Sequence, residues 1–390
     1  MGGLEALLGR LFAYRLALPQ AGEPLDRRAL PSGGGVYALT DPAGQVLHLI
    51  GGESLRRSVG GRLSAPGEGR SKRKADLRAI SHTIWWQPTH SVFETAYTYL
   101  NIARQIPGLD YRRNLPFGPV WFARIRPADA YPQWVATSTP FGDGAVVAGP
   151  FQTRKRCARF IETTEDLFDL CRYHHVLEQT PNGQACAYHD MGKCPAPCDG
   201  TVGMDVYRQQ VDASIAYAIG DGGAFLQSAR VAMAEAARRL DFESAQRCKE
   251  RIERAEQEHA APGRIATRPE QFRVLVLQTG SRRGRIKPFI VQQGTIVAGE
   301  EISLENLGSA AKRWCDKLGS SDKQLQVDEV YWAECIWLVS HFLQKGARTS
   351  GVYLSAAEVT GPEVVICAAQ SAFGDAGKRH SISVNPSMEY

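Results

Sequence analysis

The sequence has no apolar run of about 18 residues, the length that a membrane-spanning helix needs. Glu5, Arg10 and Arg15 interrupt the opening stretch, which is not the layout of a signal peptide. Membrane partners are therefore not expected, and a cytoplasmic location is. A large charge of one sign is also missing. The formal net charge is +5, too small to prove a polyanion partner, so local clusters decide. No internal repeat is evident. A composition of 43% hydrophobic and 22% charged residues excludes a largely disordered chain. At 390 residues the natural expectation is about two to four compact units. Nine cysteines make an odd count without an export signal, so disulfides are not expected and clustered thiols point first to metal.

Periodicity predicts an α+β protein. Residues 1–30 read as an amphipathic helix and a lead-in. β-favouring runs at 35–38 and 45–50 flank Asp41-Pro42-Ala43-Gly44, a hairpin turn by composition. Ile84–Trp86 reads as a third strand, and Phe93–Ile106 as a helix with apolar Phe93, Ala96, Tyr97, Leu100 and Ala103. Strands are expected within 119–136 and a helix over 154–178, followed by a turn-rich stretch. Over 205–258 two apolar stripes, Leu226 to Leu240 and Phe242 to Ala255, make a helical hairpin that needs a further surface to pack against. Strands recur at 272–278, 286–292 and 295–298, and Asp328–Leu343 is helical. The resulting units are 1–30, 31–115, 116–204, 205–262, a C-terminal α/β unit at 270–358, and a polar tail from 375 to 390.

Cys171, Cys186, Cys194 and Cys198 fall within 28 residues. Four thiolates converging from a stiff Pro- and Gly-containing loop can hold zinc or an iron–sulfur cluster, and spacing does not choose between them. His174, His175 and His189 nearby are alternative ligands. The bland reading is scattered structural thiols, as Cys157, Cys248, Cys315, Cys335 and Cys367 read. Free cysteine is usually buried, however, and does not bunch in a hydrophilic loop.

The segment Cys186-Ala-Tyr-His-Asp-Met-Gly192-Lys193-Cys194-Pro-Ala-Pro197-Cys198 resembles the cysteine segment of the bacterial excinuclease C (UvrC) family, with a longer gap after Cys171. The resemblance implies that Cys171, Cys186, Cys194 and Cys198 ligate a [4Fe-4S] cluster, zinc being the alternative. Gly149-Pro150-Phe151 resembles a family triplet upstream. Met233, Ala237, Leu240, Asp241, Phe242, Glu243, Ala245 and Ile252 are similar to the UVR motif, the hairpin through which this family pairs with its UvrB partner. That implies Met233, Leu240, Phe242, Glu243 and Ile252 as partner contacts.

By order, residues 31–115 resemble a GIY-YIG nuclease domain, a small mixed sheet with flanking helices. Such a site cuts a phosphodiester using one Mg²⁺ or Mn²⁺ on a carboxylate, because hard cations prefer oxygen ligands. Gly35-Val36-Tyr37 supplies the first half-signature. The second reads Leu49-Ile50-Gly51, with Leu49 for tyrosine, Gly52 for lysine, Ser58 for arginine, and Tyr99 or Thr98 for the metal glutamate. The expectation is a degenerate site in which Tyr37 is structural. The alternative is a rearranged, active endonuclease in which Arg57 or Arg62 replaces the arginine, His48 assists, and Glu53 or Glu94 holds the ion.

The densest basic run is Arg70-Ser71-Lys72-Arg73-Lys74, preceded by Arg56, Arg57 and Arg62. Cations that neutralise phosphates release counterions, so these side chains are the DNA-contact candidates. A merely solvated loop is the competing reading. The expected function is nucleotide excision repair, with DNA and a UvrB-like protein as partners. The reading from another class is an iron–sulfur interaction protein that makes no DNA contact.

Overall fold

The computed structural model describes residues 2–19, 23, 25–63, 76–141, 144–220, 222–259, 272–292, 294–320, 328–345 and 351–374. It is mixed α+β, built on three sheets among these residues. Among the described residues, no helix is long and apolar enough to cross a membrane.

The first unit comprises α1 (Gly2–Leu11), β1 (Tyr14–Ala17), β2 (Gly35–Thr40), β3 (Val46–Gly52), α2 (Leu55–Leu63), α3 (Leu77–Ile80), β4 (Thr83–Pro88) and α4 (Val92–Gln105). Its antiparallel sheet runs β1-β4-β2-β3. The β2–β3 turn forms as composition predicts: Asp41 Oδ1 accepts from Gln45 N at 2.8 Å, and Gly44 takes φ +82°, a left-handed value that glycine adopts freely. Side chains alternate between the two faces of the sheet. Val36, Ala38, Leu49 and Trp85 pack with Leu8 of α1, with Phe12 just after it, and with Tyr99, Ile102 and Ala103 of α4. Tyr37, Leu39, Ile84 and Trp86 pack with Leu30 and with Leu55, Val59 and Leu63 of α2. The stretch read as a lead-in is therefore part of this unit, because α1 fills one core and β1 forms an edge of the sheet.

The middle unit holds β5 (Trp121–Ile125), β6 (Val135–Thr137) and β7 (Val146–Phe151) in the order β6-β5-β7, then α5 (Arg154–Leu167), the short helices α6 (His174–Leu177) and α7 (Ala187–Asp190), and α8 (Met204–Ile219). Ala123 and Ala148 let α5 lie close to the sheet, and Phe160, Leu167, Tyr207 and Val211 complete the core. A helical hairpin follows, α9 (Gly223–Arg238) and α10 (Phe242–His259). Asp241 Oδ1 accepts from Ser244 N at 3.0 Å, capping α10 in the usual way.

The last unit has β8 (Val274–Thr279), β9 (Arg285–Gln292), β10 (Thr295–Ala298), β11 (Ile302–Ser303), α11 (Leu307–Gly319), α12 (Glu329–Lys345), β12 (Val352–Ser355) and α13 (Pro362–Phe373). Its sheet runs β10-β9-β8-β12, with β11 on β9. Helices α11 and α13 cover one face, and α12 covers the other.

The unit boundaries read from the sequence do not separate independent cores. Helix α4 is apolar on two sides. One side faces the first sheet, while Phe93, Ala96 and Leu100 join Phe289, Phe342 and the middle-unit residues Phe122 and Val147. Tyr97 Oη donates to the Ile296 carbonyl at 2.8 Å. Beneath this junction lies the fully buried carboxylate of Glu334 on α12. It is met by Arg104 at 2.5 Å, Arg112 at 3.0 Å and Tyr111 Oη at 2.9 Å.

Candidate functional site

Strand register decides which halves of the nuclease-like signature meet. Tyr37 pairs with Ile50, and Ala38 with Leu49, so Tyr37 and Leu49 fall on opposite faces. Leu49 lies in the core that holds Tyr99. On the Tyr37 face, the His48 ring stands edge-on at 6.0 Å, and Ser58 Oγ donates to Tyr37 Oη at 3.4 Å. Burial raises the Tyr37 hydroxyl pKa, opposed by Ser58 and Arg62. Burial, then the Arg62 cation, pulls His48 down to about 4, leaving a neutral imidazole at pH 7. The structure thus brings Tyr37, His48, Ser58 and Arg62 together. Tyr37 is 0% exposed, which suits packing better than activation of a water molecule. Arg57 is exposed.

Among the described residues, no carboxylate is among the groups acting on Tyr37 or His48. Glu94 does not supply one, which goes against the alternative in which it holds an ion. Its Oε1 is 2.6 Å from Lys287 Nζ and its Oε2 accepts from His90 N at 2.8 Å, so a junction between units takes up both oxygens. Tyr99, at the compared metal position, is buried with its hydroxyl 3.4 Å from the Tyr111 carbonyl. Thr98 is half-buried. Neither side chain offers an anionic oxygen near neutral pH.

The DNA-contact candidates divide. Arg56 clamps the fold, since its Nε and Nη2 both donate to the Leu30 carbonyl, at 3.0 and 2.9 Å. Arg70, Lys72, Arg73 and Lys74 lie outside the described residues.

The cysteines lie on one small knot between α5 and α8. Cys171 N donates to Tyr207 Oη at 3.1 Å. Gly183 N donates to the Cys198 carbonyl at 2.8 Å, and His189 Nδ1 lies 3.1 Å from the Cys194 carbonyl. The Cys171 thiol donates to the Tyr173 carbonyl at 3.6 Å. Interaction with Cys194 raises the Cys171 pKa and lowers that of Cys194, Cys198 adds to the rise at Cys171, and burial followed by nearby charges including Cys194 raises Cys198. Cys186 is half-buried at the start of α7. Among the described residues, however, no group of three or more His, Cys, Asp or Glu side chains comes together closely enough to hold a metal ion. The donor chemistry fits a soft metal, and Cys171, Cys194 and Cys198 lie near enough to act on one another electrostatically. His174 Nε2 is engaged 2.9 Å from the Tyr131 carbonyl.

The hairpin is anchored at its base and bare at its apex. Arg251 donates to the Leu167 carbonyl, Phe225 packs on Phe168 at 5.1 Å, and Ile252 and Ala255 are buried. Ile252 therefore belongs to the anchor, a correction to its expected role as a partner contact; its stripe turns inward because α10 packs on α5. At the apex, Leu240 is 72% and Phe242 69% exposed, with Met233 half-buried and Glu243 exposed. Leu240 has φ +61°.

Residues 120–217 match the UvrC/Cho excinuclease middle domain, so the three-stranded sheet, α5, the cysteine knot and nearly all of α8 form one such domain. The similarity extends beyond it. The chain is 25% identical over 228 residues to the UvrABC system protein C of Syntrophotalea carbinolica, covering 58% of this chain and 37% of that protein. It is 23% identical over 293 residues to that of Desulforudis audaxviator, covering 73% and 46%, and 24% identical over 283 residues to that of Syntrophomonas wolfei, covering 71% and 46%. The chain is UvrC-like, and it spans less than half the length of these relatives. No solved structure matches.

Proposed function

We propose that this chain acts in nucleotide excision repair as a DNA-binding, UvrB-docking protein whose nuclease-like sheet is a scaffold. Leu240 carries the reading. A left-handed backbone costs an ordinary residue roughly 1 kcal/mol, and glycine or asparagine would serve the turn better. Here a leucine occupies the position and holds its side chain in solvent beside exposed Phe242. A residue that strains the backbone and buries nothing suits a partner surface, with Met233 and Glu243 flanking it. The test is Leu240→Gly, measured by titration against a purified UvrB-type protein. Affinity falls by about tenfold or more through loss of one buried leucine, while thermal stability holds or rises. Unchanged affinity refutes the reading.

The cysteine knot is proposed to carry a [4Fe-4S] cluster on Cys171, Cys186, Cys194 and Cys198, with zinc as the alternative. Their thiolates would supply the ligands, and the cluster would stiffen the loop between α5 and α8. Iron and zinc analysis of anaerobically purified protein decides between the metals; a folded protein containing neither rejects both. A second reading, residual metal-dependent incision, is favoured by one observation: Arg62 lies beside Tyr37 and His48.

A further inference from the structure

Helix α5 carries its charges against its own dipole. The N-terminal end of a helix bears about half a positive charge and favours carboxylates. The first turn of α5 instead holds Arg154, Lys155 and Arg156 with no acidic residue, and its last turn has no base. The fold answers the C-terminal half of this reversal. Asp166 pairs with Arg172, and with Arg254 at 3.4 Å, while Glu165 is buried. It does not answer the other half. Arg154, Lys155 and Arg156 are exposed, and among the described residues none of them pairs with a carboxylate. Arg159, one turn on, is 3.8 Å from Glu258 with its side chain 76% exposed, a loose contact of little worth.

One of the three cations is positioned. The Arg154 guanidinium lies 5.6 Å from the centroid of the half-buried Trp121 ring, and Trp121 is paired across the sheet with Phe151. The cation is thus held at an aromatic edge, with Lys155 and Arg156 beside it. Thr153 Oγ1 accepts from Arg156 N at 3.2 Å, and the N–H groups of Arg154 and Lys155 have no acceptor within the helix. A merely solvated charged face mixes signs and follows the dipole. This turn does neither, and an anion arriving there relieves both the repulsion among the cations and their conflict with the helix.

We propose that Arg154, Lys155 and Arg156 form a phosphodiester-binding site that grips the DNA backbone at the β7–α5 corner of the middle unit. The inference rests on the DNA-binding reading above and gives it a location separate from the 70–74 run. The site reads no sequence, because backbone contacts position a protein without identifying bases.

The test measures binding of a short duplex across a salt series, with the full chain. Three phosphate contacts contribute about 2.7 to the magnitude of the slope of log affinity against log salt. In Arg154→Gln/Lys155→Gln/Arg156→Gln that contribution disappears, and the native-to-variant affinity ratio shrinks by roughly 40-fold between about 50 and 200 mM salt. Lys155→Gln/Arg156→Gln keeps the Arg154–Trp121 contact and shows about two-thirds of the triple variant's slope change, which separates charge from folding. Lys312→Gln/Arg313→Gln, on the exposed side of α11, makes the same change in charge and leaves binding untouched. Native-like binding and slope in the triple variant overturn the site while leaving DNA binding by the chain intact. Absence of salt-dependent duplex binding by the native chain overturns both.

Discussion

Glu334→Gln tests the claim that α4 and α12 lock the first and last units into one structure. The Glu334 side chain is 0% exposed and receives Arg104, Arg112 and Tyr111, while Arg104 also reaches Asp328 at 2.6 Å. Removing one partner of a buried ion pair costs about 3–5 kcal/mol, because a charge is left uncompensated. Arg104, with its side chain 20% exposed, keeps Asp328, which is 56% exposed, and Arg112 is 53% exposed. The lower end of the range, about 3 kcal/mol, therefore applies. Arg112→Gln costs less than about 1 kcal/mol, as for a solvent-screened partner. Urea unfolding of both variants, followed by the fluorescence of the aromatic junction around Phe93 and Trp332, measures the difference. A double-mutant cycle with Arg104→Gln isolates the pair and gives a coupling above about 1.5 kcal/mol. Glu334→Gln within about 0.5 kcal/mol of native, with no coupling, refutes the lock.

Two further outcomes follow from the same packing. Lys287→Ala strands the 7%-exposed Glu94 carboxylate on a single backbone N–H and lowers stability by about 2 kcal/mol in urea unfolding; were Glu94 a free metal ligand, the change would be neutral. Burial, opposed by Arg172, pushes Glu165 from 4.5 up to about 7. The folded state thus holds this proton more tightly, and stability falls by about 3 kcal/mol as pH rises from 4.5 towards 7. Glu165→Gln removes that slope, and equal pH profiles for native and variant would contradict the burial argument.

What the sequence shows and what it hides differ for physical reasons. The Asp41–Gly44 turn, strands β8 to β10 and the α9–α10 hairpin are local: their signals are turn residues and periodicity within one window, and each forms close to where it is read. The pairing of β1 with β4 is long-range, and nothing in Tyr14–Ala17 announces it. Helix α4 shows one apolar stripe to a periodicity argument, yet it serves two cores. That is why cores are shared across the expected units and why Glu94, a plausible ion ligand by position, is found in a junction with Lys287. Ile252 reads like Phe242 in the same stripe, and only the packing of α10 on α5 separates anchor from apex. The cysteines are legible as a cluster, but their mutual geometry is not. The reversed charge of α5 is visible as Thr-Arg-Lys-Arg; its meaning needs the knowledge that a helix starts there and that the acidic end finds partners.

Incision of a lesion-bearing duplex, with a UvrB-type partner and Mg²⁺ or Mn²⁺ supplied, bears most directly on the scaffold reading. A sheet face carrying Tyr37, His48, Ser58 and Arg62, with no carboxylate acting on Tyr37 or His48 among the described residues, predicts no cleavage above background, and no difference between native chain and Tyr37→Phe. Metal-dependent cleavage that disappears in Tyr37→Phe would contradict it.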